Sequence, residues 1–289
     1  MPDDLIALAL AEDIGPGDVT AKWFTGNERR ASAVIIAKES CCLAGIGVCA
    51  EVFARVDNSL RVSVLSADGA SLEPRDPVLR VEGPAASILT AERTSLNFLQ
   101  RLSGVATMSR RYVEAVRGTG AVILDTRKTT PGFRALEKAA VAAGGATNHR
   151  AGLHDAVMVK DNHLAAGTTL DEIQAAIHRV KAANPAMKIE IEADTLAQAK
   201  AFFGLSGVDV VLLDNMPPEL LREAVALRPP QIRLEASGGI TLGNIRSVAE
   251  TGVDYISVGA ITHSAPAVDF SLELSTPVLR PRLFPAFCG

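Results

Sequence analysis

Along the 289-residue chain, apolar and polar positions follow two rhythms in succession. Residues 4–12 carry apolar positions at helical spacing and stop at Gly15-Pro16-Gly17-Asp18, which predicts a short helix. Between 30 and 82 the period falls to two. Ala31–Lys38, Leu60–Leu65 and Pro77–Glu82 read as short strands separated by Gly, Asp and Ser, an α+β module of about a hundred residues. A long amphipathic stretch from Ser87 to Val116 follows, with Gly104 predicted as a break between two helices. After Gly120 six short apolar runs appear, at 121–125, 156–160, 188–192, 209–214, 231–236 and 254–258. Amphipathic segments at 169–183, 195–204, 217–227 and 241–251 separate the later ones. Alternating strand and helix predicts a parallel sheet with crossover helices. Six such units and no dinucleotide-type glycine fingerprint favour an incomplete β/α barrel over a doubly wound sheet.

Composition narrows the class. Hydrophobic residues are 48% and charged residues 21%, the profile of a globular chain. No apolar run is long enough to span a bilayer, and the acidic start Met1-Pro2-Asp3-Asp4 does not read as a secretory signal. Cysteines at 41, 42, 49 and 288 match neither a disulfide framework nor a zinc spacing, so a cytoplasmic, reduced protein is expected, with the Cys41-Cys42 pair in core packing. Aromatic residues are only 4%, which argues against a base-stacking nucleic-acid module.

The net charge of −4 matters less than its distribution. Residues 93–160 hold eleven basic and four acidic side chains, a local +7, which leaves −11 on the other residues. A positive segment in an acidic chain suggests an anionic ligand. Arg101, Arg110, Arg111 and Arg117 recur at helical spacing and read as a solvated helix face. Arg127, Lys128, Arg134, Arg150 and Lys160 instead lie beside Gly, Pro, Thr and His at strand ends.

Parallel β/α barrels carry their sites at the C-terminal ends of the strands. Here those ends read Asp125–Thr130, Lys160-Asp161-Asn162-His163, Glu190-Ile191-Glu192, Asp214-Asn215, Ser237-Gly238-Gly239 and Gly259–His263, with Thr147–Arg150 before the second strand. The glycine turns after the last two strands, one of them opening a helix near Thr241, fit a phosphate cradle; glycines that merely permit tight turns are the alternative. Glu192 and Asp214 end neighbouring strands and suit Mg²⁺, which takes few protein oxygens alongside phosphate oxygens; ion pairing with Lys160 or Lys128 is the competing reading. Arg127, Lys128, Arg150 and Lys160 form a cation cluster for a ligand with several carboxylates or phosphates, and His149 could hydrogen-bond a substrate carboxylate or ring nitrogen. His154 and His178 read as surface positions, His163 is as readily structural as functional, and no nucleophile triad is present.

Taken together, Glu92-Arg93-Thr94, Asp125–Arg134 (DTRKTTPGFR), Asn148-His149-Arg150, Lys160–His163, Glu190–Glu192, Leu213–Asn215, Ser237–Gly239 and Gly252–Gly259 resemble the quinolinate phosphoribosyltransferase family, over about Leu8–Leu274. The resemblance implies an α/β fold: an N-terminal α+β sandwich at 1–106, an open β/α barrel of the type II phosphoribosyltransferases at 107–266, and residues 267–289 packing back on the sandwich. It implies transfer of the phosphoribosyl group of phosphoribosyl pyrophosphate to quinolinate with decarboxylation, a step of NAD biosynthesis. Thr126, Arg127, Lys128, His149, Arg150 and Lys160 would bind quinolinate, with Arg93 reaching in from the second subunit of a homodimer. Glu192 and Asp214 would bind the ribose and Mg²⁺, and Lys128, Lys160, Glu192 and Asp214 would be catalytic. Ser237, Gly238, Gly239, Val258, Gly259 and Ala260 would hold the 5′-phosphate. A molybdenum-transport-associated paralogue of the same fold, or a non-enzymatic phosphate-ligand sensor, remain alternatives, and no nucleic-acid or membrane partner is expected. Residues 275–289, rich in Pro and Arg, read as a tail and receive no function.

Overall fold

The computed structural model describes residues 4–25, 29–160 and 167–275. The chain divides into two units, Met1–Gln100 with the segment from Val268 onward, and Arg101–Ala267. The division falls inside a helix that the expected boundary at 106/107 also cuts.

The first unit opens with α1 (Leu5–Ile14), whose N-terminal amides of Ile6 and Ala7 are capped by the Asp4 carboxylate, and which ends at Gly15 with φ 51°. Strands β1 (Arg30–Ala37), β2 (Cys41–Cys42), β3 (Arg61–Val64), β4 (Ser71–Leu72) and β5 (Pro77–Pro84) follow, with α2 (Ile46–Val56) between β2 and β3. A four-stranded antiparallel sheet has the order β12-β1-β5-β3, where β12 is Phe270–Ser275. Period-two alternation buries Ala31, Ala33 and Ile35 of β1 and Val81 of β5, and α2 adds Val52 and Phe53. This helix-on-sheet layer is the α/β sandwich. Cys41 and Cys49 are buried here, and desolvation pushes their thiols up to about 11 and about 12, as expected of packing residues.

Helix α3 (Ala85–Ala115) runs unbroken for 31 residues, so Gly104 does not divide it. A Cβ at Gly104 would collide with the Pro266 carbonyl, and close backbone approach is what this glycine serves.

In the second unit six parallel strands take the order β6-β11-β10-β9-β8-β7, where β6 is Val122–Leu124, β7 Val157–Val159, β8 Ile189–Ala193, β9 Val210–Asp214, β10 Arg233–Ser237 and β11 Tyr255–Ser257. No ladder joins β6 to β7 among the described residues; Leu124 bridges instead to Thr147, so the barrel is open there. The crossovers are α4 (Arg134–Ala143), α5 (Leu170–Ala183), α6 (Leu196–Phe202), α7 (Pro218–Leu227) and α8 (Ile245–Ala249), with a short α9 (Ala260–His263) after β11. Capping boxes start α5 (Thr169 with Glu172) and α6 (Thr195 with Gln198), and Pro218 starts α7. The helix expected from Thr241 begins only at Ile245, because Asn244 accepts from the Thr241 amide and donates to the Gly239 carbonyl, which holds that stretch as a turn.

The four arginines expected on a solvated helix face divide. Arg111 and Arg117 are exposed. Arg101 is instead ion-paired with the fully buried Glu137 at 2.7 Å and donates to the carbonyls of Thr262 and Ala265, while Arg110 donates to the carbonyl of Gly144. No helix among the described residues is long and apolar enough to cross a membrane.

Candidate active site

At the C-terminal ends of the barrel strands lies a cleft of about 460 Å³. Its lining includes Thr126, Arg127, Lys128, His149, Arg150, Lys160, Glu192, Asp214, Ser237, Gly238 and Gly239, so the strand-end residues converge. Asn215 and Ser257 from the strand-end motifs line it too, together with Met158, Leu212 and Glu235, to which the sequence assigns no role.

The loop after β6 is fixed from below. Glu137 of α4 accepts from the Thr130 amide and hydroxyl as well as from Arg101. Arg134 donates to Thr129 and to the Ala151 carbonyl, so this cation is a staple between loops rather than a member of the cluster. Lys138, buried with Asp125, donates to both its carboxylate oxygens at 2.7 Å and to the His149 carbonyl at 2.9 Å. Asp125 also accepts the His149 amide at 2.6 Å, which positions the His149-Arg150 pair. Burial raises the Asp125 pKa, with Lys138 opposing.

Beneath the cleft, His149 Nε2 lies 3.1 Å from Glu190 and 3.4 Å from Glu235, both buried, and Nδ1 accepts the Arg150 amide at 2.7 Å. Both ring nitrogens are therefore engaged inside the protein, and His149 does not present the free nitrogen that the sequence reading gave it for a substrate. The amide on Nδ1 favours a neutral ring and the carboxylates favour a cation. Desolvation also disfavours the charge, but the hydrogen bonds that Glu190 and Glu235 accept from the ring outweigh it and raise the His149 pKa to about 10. Burial raises the Glu190 pKa. One oxygen each of Glu190 and Glu235, and Arg127 Nε, are buried without a partner among the described residues.

Above this floor stand the cations. Desolvation, then repulsion from Arg127, lowers the Arg150 pKa; two guanidiniums held this close call for an anion. Lys160 lies 2.5 Å from Glu192, so the ion pairing expected as the competing reading is present at Glu192. Glu192, Asp214 and Asp194 bring carboxylate oxygens within 4.8 Å of one another. Asp194 is the member the sequence reading missed, and its signal is the i, i+2 step from Glu192 past the end of β8. Three hard oxygen donors suit Mg²⁺.

Beside Asp214, Ser237 ends β10 and enters a turn in which Gly238 and Gly239 have φ 90° and 62°, conformations that favour glycine. Val258 is corrected as a phosphate donor: it is buried, and its amide already donates to the Leu124 carbonyl at 2.9 Å. Gly259 and Ala260 begin α9, and a Cβ on Gly259 would touch the Lys128 side chain, so they back the cleft without lining it. Arg93 is exposed on α3 in the first unit. His154 and His178 are exposed; Asp161, Asn162, His163 and residues 276–289 lie outside the described residues.

Residues 18–103 match the model of the quinolinate phosphoribosyl transferase N-terminal domain, and residues 105–273 that of its C-terminal domain. The chain is 42% identical over 278 residues to the nicotinate-nucleotide pyrophosphorylase (carboxylating) of Mycobacterium leprae, covering 94% of this chain and 96% of the relative. Among solved structures it is similar to the nicotinate-nucleotide pyrophosphorylase of Francisella tularensis (TM-score 0.87, 37% identity, 94% and 95% of the two chains). The enzyme of the same name from Ehrlichia chaffeensis gives a TM-score of 0.86 at 36% identity, over 94% and 97% of the two chains.

Proposed function

Because the chain belongs to the quinolinate phosphoribosyltransferase family, we propose that it joins quinolinate to phosphoribosyl pyrophosphate, releasing nicotinate mononucleotide, pyrophosphate and CO₂. The observation that carries this reading is a single cleft that gathers guanidiniums, carboxylates and a positive-φ glycine turn. Arg127 and Arg150, with Lys128 and Lys160, match a planar dicarboxylate, and the unpartnered Arg127 Nε is a donor in waiting. The amides of the Ser237–Gly239 turn suit the 5′-phosphate.

As pyrophosphate leaves, positive charge builds on the ribose ring, and Glu192 and Asp214 face it as fixed negative charges. The ring nitrogen of quinolinate then attacks the anomeric carbon. Loss of CO₂ leaves an electron pair beside a nitrogen that has become cationic, which stabilises it until a proton from water takes the place of the lost carboxylate. His149, bonded inward to Glu190 and Glu235, accepts the Arg150 amide on Nδ1 and so orders Arg150. Mg²⁺, held by Glu192, Asp194 and Asp214, would supply charge neutralisation for the diphosphate when bound. The names of the relatives favour this activity over the transport-associated paralogue and the sensor. A turnover assay offering quinolinate or nicotinate decides it: equimolar CO₂, pyrophosphate and nicotinate mononucleotide from quinolinate alone is the expected result, and product from nicotinate without CO₂ would contradict it.

The cytoplasm is the proposed compartment, and the working assembly is a homodimer in which Arg93 serves the partner's cleft. Trp23, Phe24 and Val19 are strongly exposed apolar residues of the first unit, which supports association of copies. Arg93→Ala and Lys160→Ala should each be nearly inactive. Mixed in equal amounts under subunit exchange, they should recover about a quarter of wild-type activity, since half the dimers are mixed and each holds one intact site. Absence of recovery despite exchange would remove Arg93 from the shared site.

A further inference from the structure

Asn215 follows directly on β9 with φ 52°, one of two non-glycine residues in the left-handed region among those described. Such a conformation is strained for most side chains and is retained where surrounding contacts impose it. Three contacts do so here. The Asn215 amide donates to the Ser237 carbonyl at 2.9 Å. Its side-chain Nδ2 donates to Asp214 Oδ2 at 2.7 Å. Its carboxamide lies so close over Gly238 that any Cβ there would run into it. One residue thus touches both the carboxylate that ends β9 and the glycine turn that ends β10.

The two carboxylates of the cleft are held by different means. Glu192 is ion-paired with Lys160. Asp214 receives its side-chain hydrogen bond from a neutral amide, Asn215. A neutral donor fixes the direction of a carboxylate without cancelling its charge, whereas a lysine does both.

We propose that Asn215 is a positioning residue: it aims the Asp214 carboxylate at the phosphoribosyl donor and ties that aim to the Ser237–Gly239 turn. The proposal rests on the reading of Asp214 given above as a donor-facing carboxylate. Gly238 is then a glycine for two reasons, its φ of 90° and the room its missing Cβ leaves for the Asn215 carboxamide.

The decisive variant is Asn215→Gly, which keeps the left-handed backbone without strain and removes only the amide. Asn215→Asp keeps the shape and exchanges the donor for a second carboxylate against Asp214. Melting temperature, calorimetric affinity for phosphoribosyl pyrophosphate with Mg²⁺, affinity for quinolinate and turnover are measured for both, with Asp214→Asn alongside. Asn215→Gly should melt at or above the wild-type temperature and bind quinolinate normally. Its affinity for phosphoribosyl pyrophosphate should fall about tenfold, the scale of one hydrogen bond to a charged group, and turnover should fall at least as far. Adding Asn215→Gly to Asp214→Asn should cost no further affinity, because the amide acts through that carboxylate. Wild-type affinity and turnover in both Asn215 variants, with Asp214→Asn impaired, would overturn the positioning role alone. If Asp214→Asn is itself unimpaired, the assignment of Asp214 fails and takes this proposal with it.

Discussion

The two units bury different things. In the first, the buried polar side chains among the described residues are Thr94 and Ser95, and the interior is otherwise Ile35, Leu79, Val81, Phe53 and their like. In the second, Asp125, Glu137, Lys138, Glu190 and Glu235 are all buried. A buried charge costs several kcal/mol unless paired and hydrogen-bonded, and hydrophobic replacements of similar volume often do as well or better for stability. The barrel interior therefore carries charge for something other than folding. Glu137 fixes the loop bearing Arg127 and Lys128, Lys138 and Asp125 fix His149, and Glu190 and Glu235 hold its ring.

The largest effect expected from breaking this contrast is at the buried pair. Lys138→Met strands Asp125 and should lower the unfolding free energy of the barrel by about 3–5 kcal/mol in urea titrations. Pairing it with Asp125→Leu should restore much of that stability yet leave quinolinate affinity low, because the His149 amide has lost its acceptor. In the sandwich, Leu79→Ala should cost about 2–5 kcal/mol through a cavity, with no charge to compensate.

Next in size are the rim carboxylates. Glu192→Gln and Asp214→Asn lie at the mouth rather than in the floor, so melting temperatures should hardly move while turnover falls roughly 10²–10³-fold. Retained rate and Mg²⁺ dependence in both would make these carboxylates structural.

The smallest effect is with pH. His149 has a folded pKa raised from 6.5 to about 10, so its stabilising contribution is complete below about pH 6.5 and is lost as pH rises toward 10. Melting temperature should decline by several degrees between pH 7 and 10, and His149→Gln should flatten that decline. An unchanged slope would mean that His149 is neutral at pH 7.

Much of this was legible along the chain, for identifiable reasons. Each barrel unit repeats an apolar run and an amphipathic helix, and site residues lie just past the strands, so the cation cluster, Glu192, Asp214 and the glycine turn could be read from position alone. The floor could not. Glu190 and His149 stand in strand-end motifs, but they are 41 positions apart and Glu235 is further still, so nothing along the chain says that both glutamates close on one imidazole. Helices α2 and α4 were missed because their starts, at Gly45 and Phe133, lack a side-chain cap. Gly104 misled because a glycine that permits close contact looks the same in sequence as one that ends a helix.

The central claim is that one cleft has two chemically distinct sides, guanidiniums for quinolinate and carboxylates with the glycine turn for phosphoribosyl pyrophosphate. Lys160 cannot test it, since its tie to Glu192 joins both sides. Arg150 and Asp214 can. Calorimetric titration of each ligand into Arg150→Ala and Asp214→Asn should give a double dissociation. Arg150→Ala should lose roughly ten- to a hundredfold in quinolinate affinity with phosphoribosyl pyrophosphate unchanged, and Asp214→Asn should show the reverse. Equal loss of both ligands in either variant would contradict a cleft divided in this way.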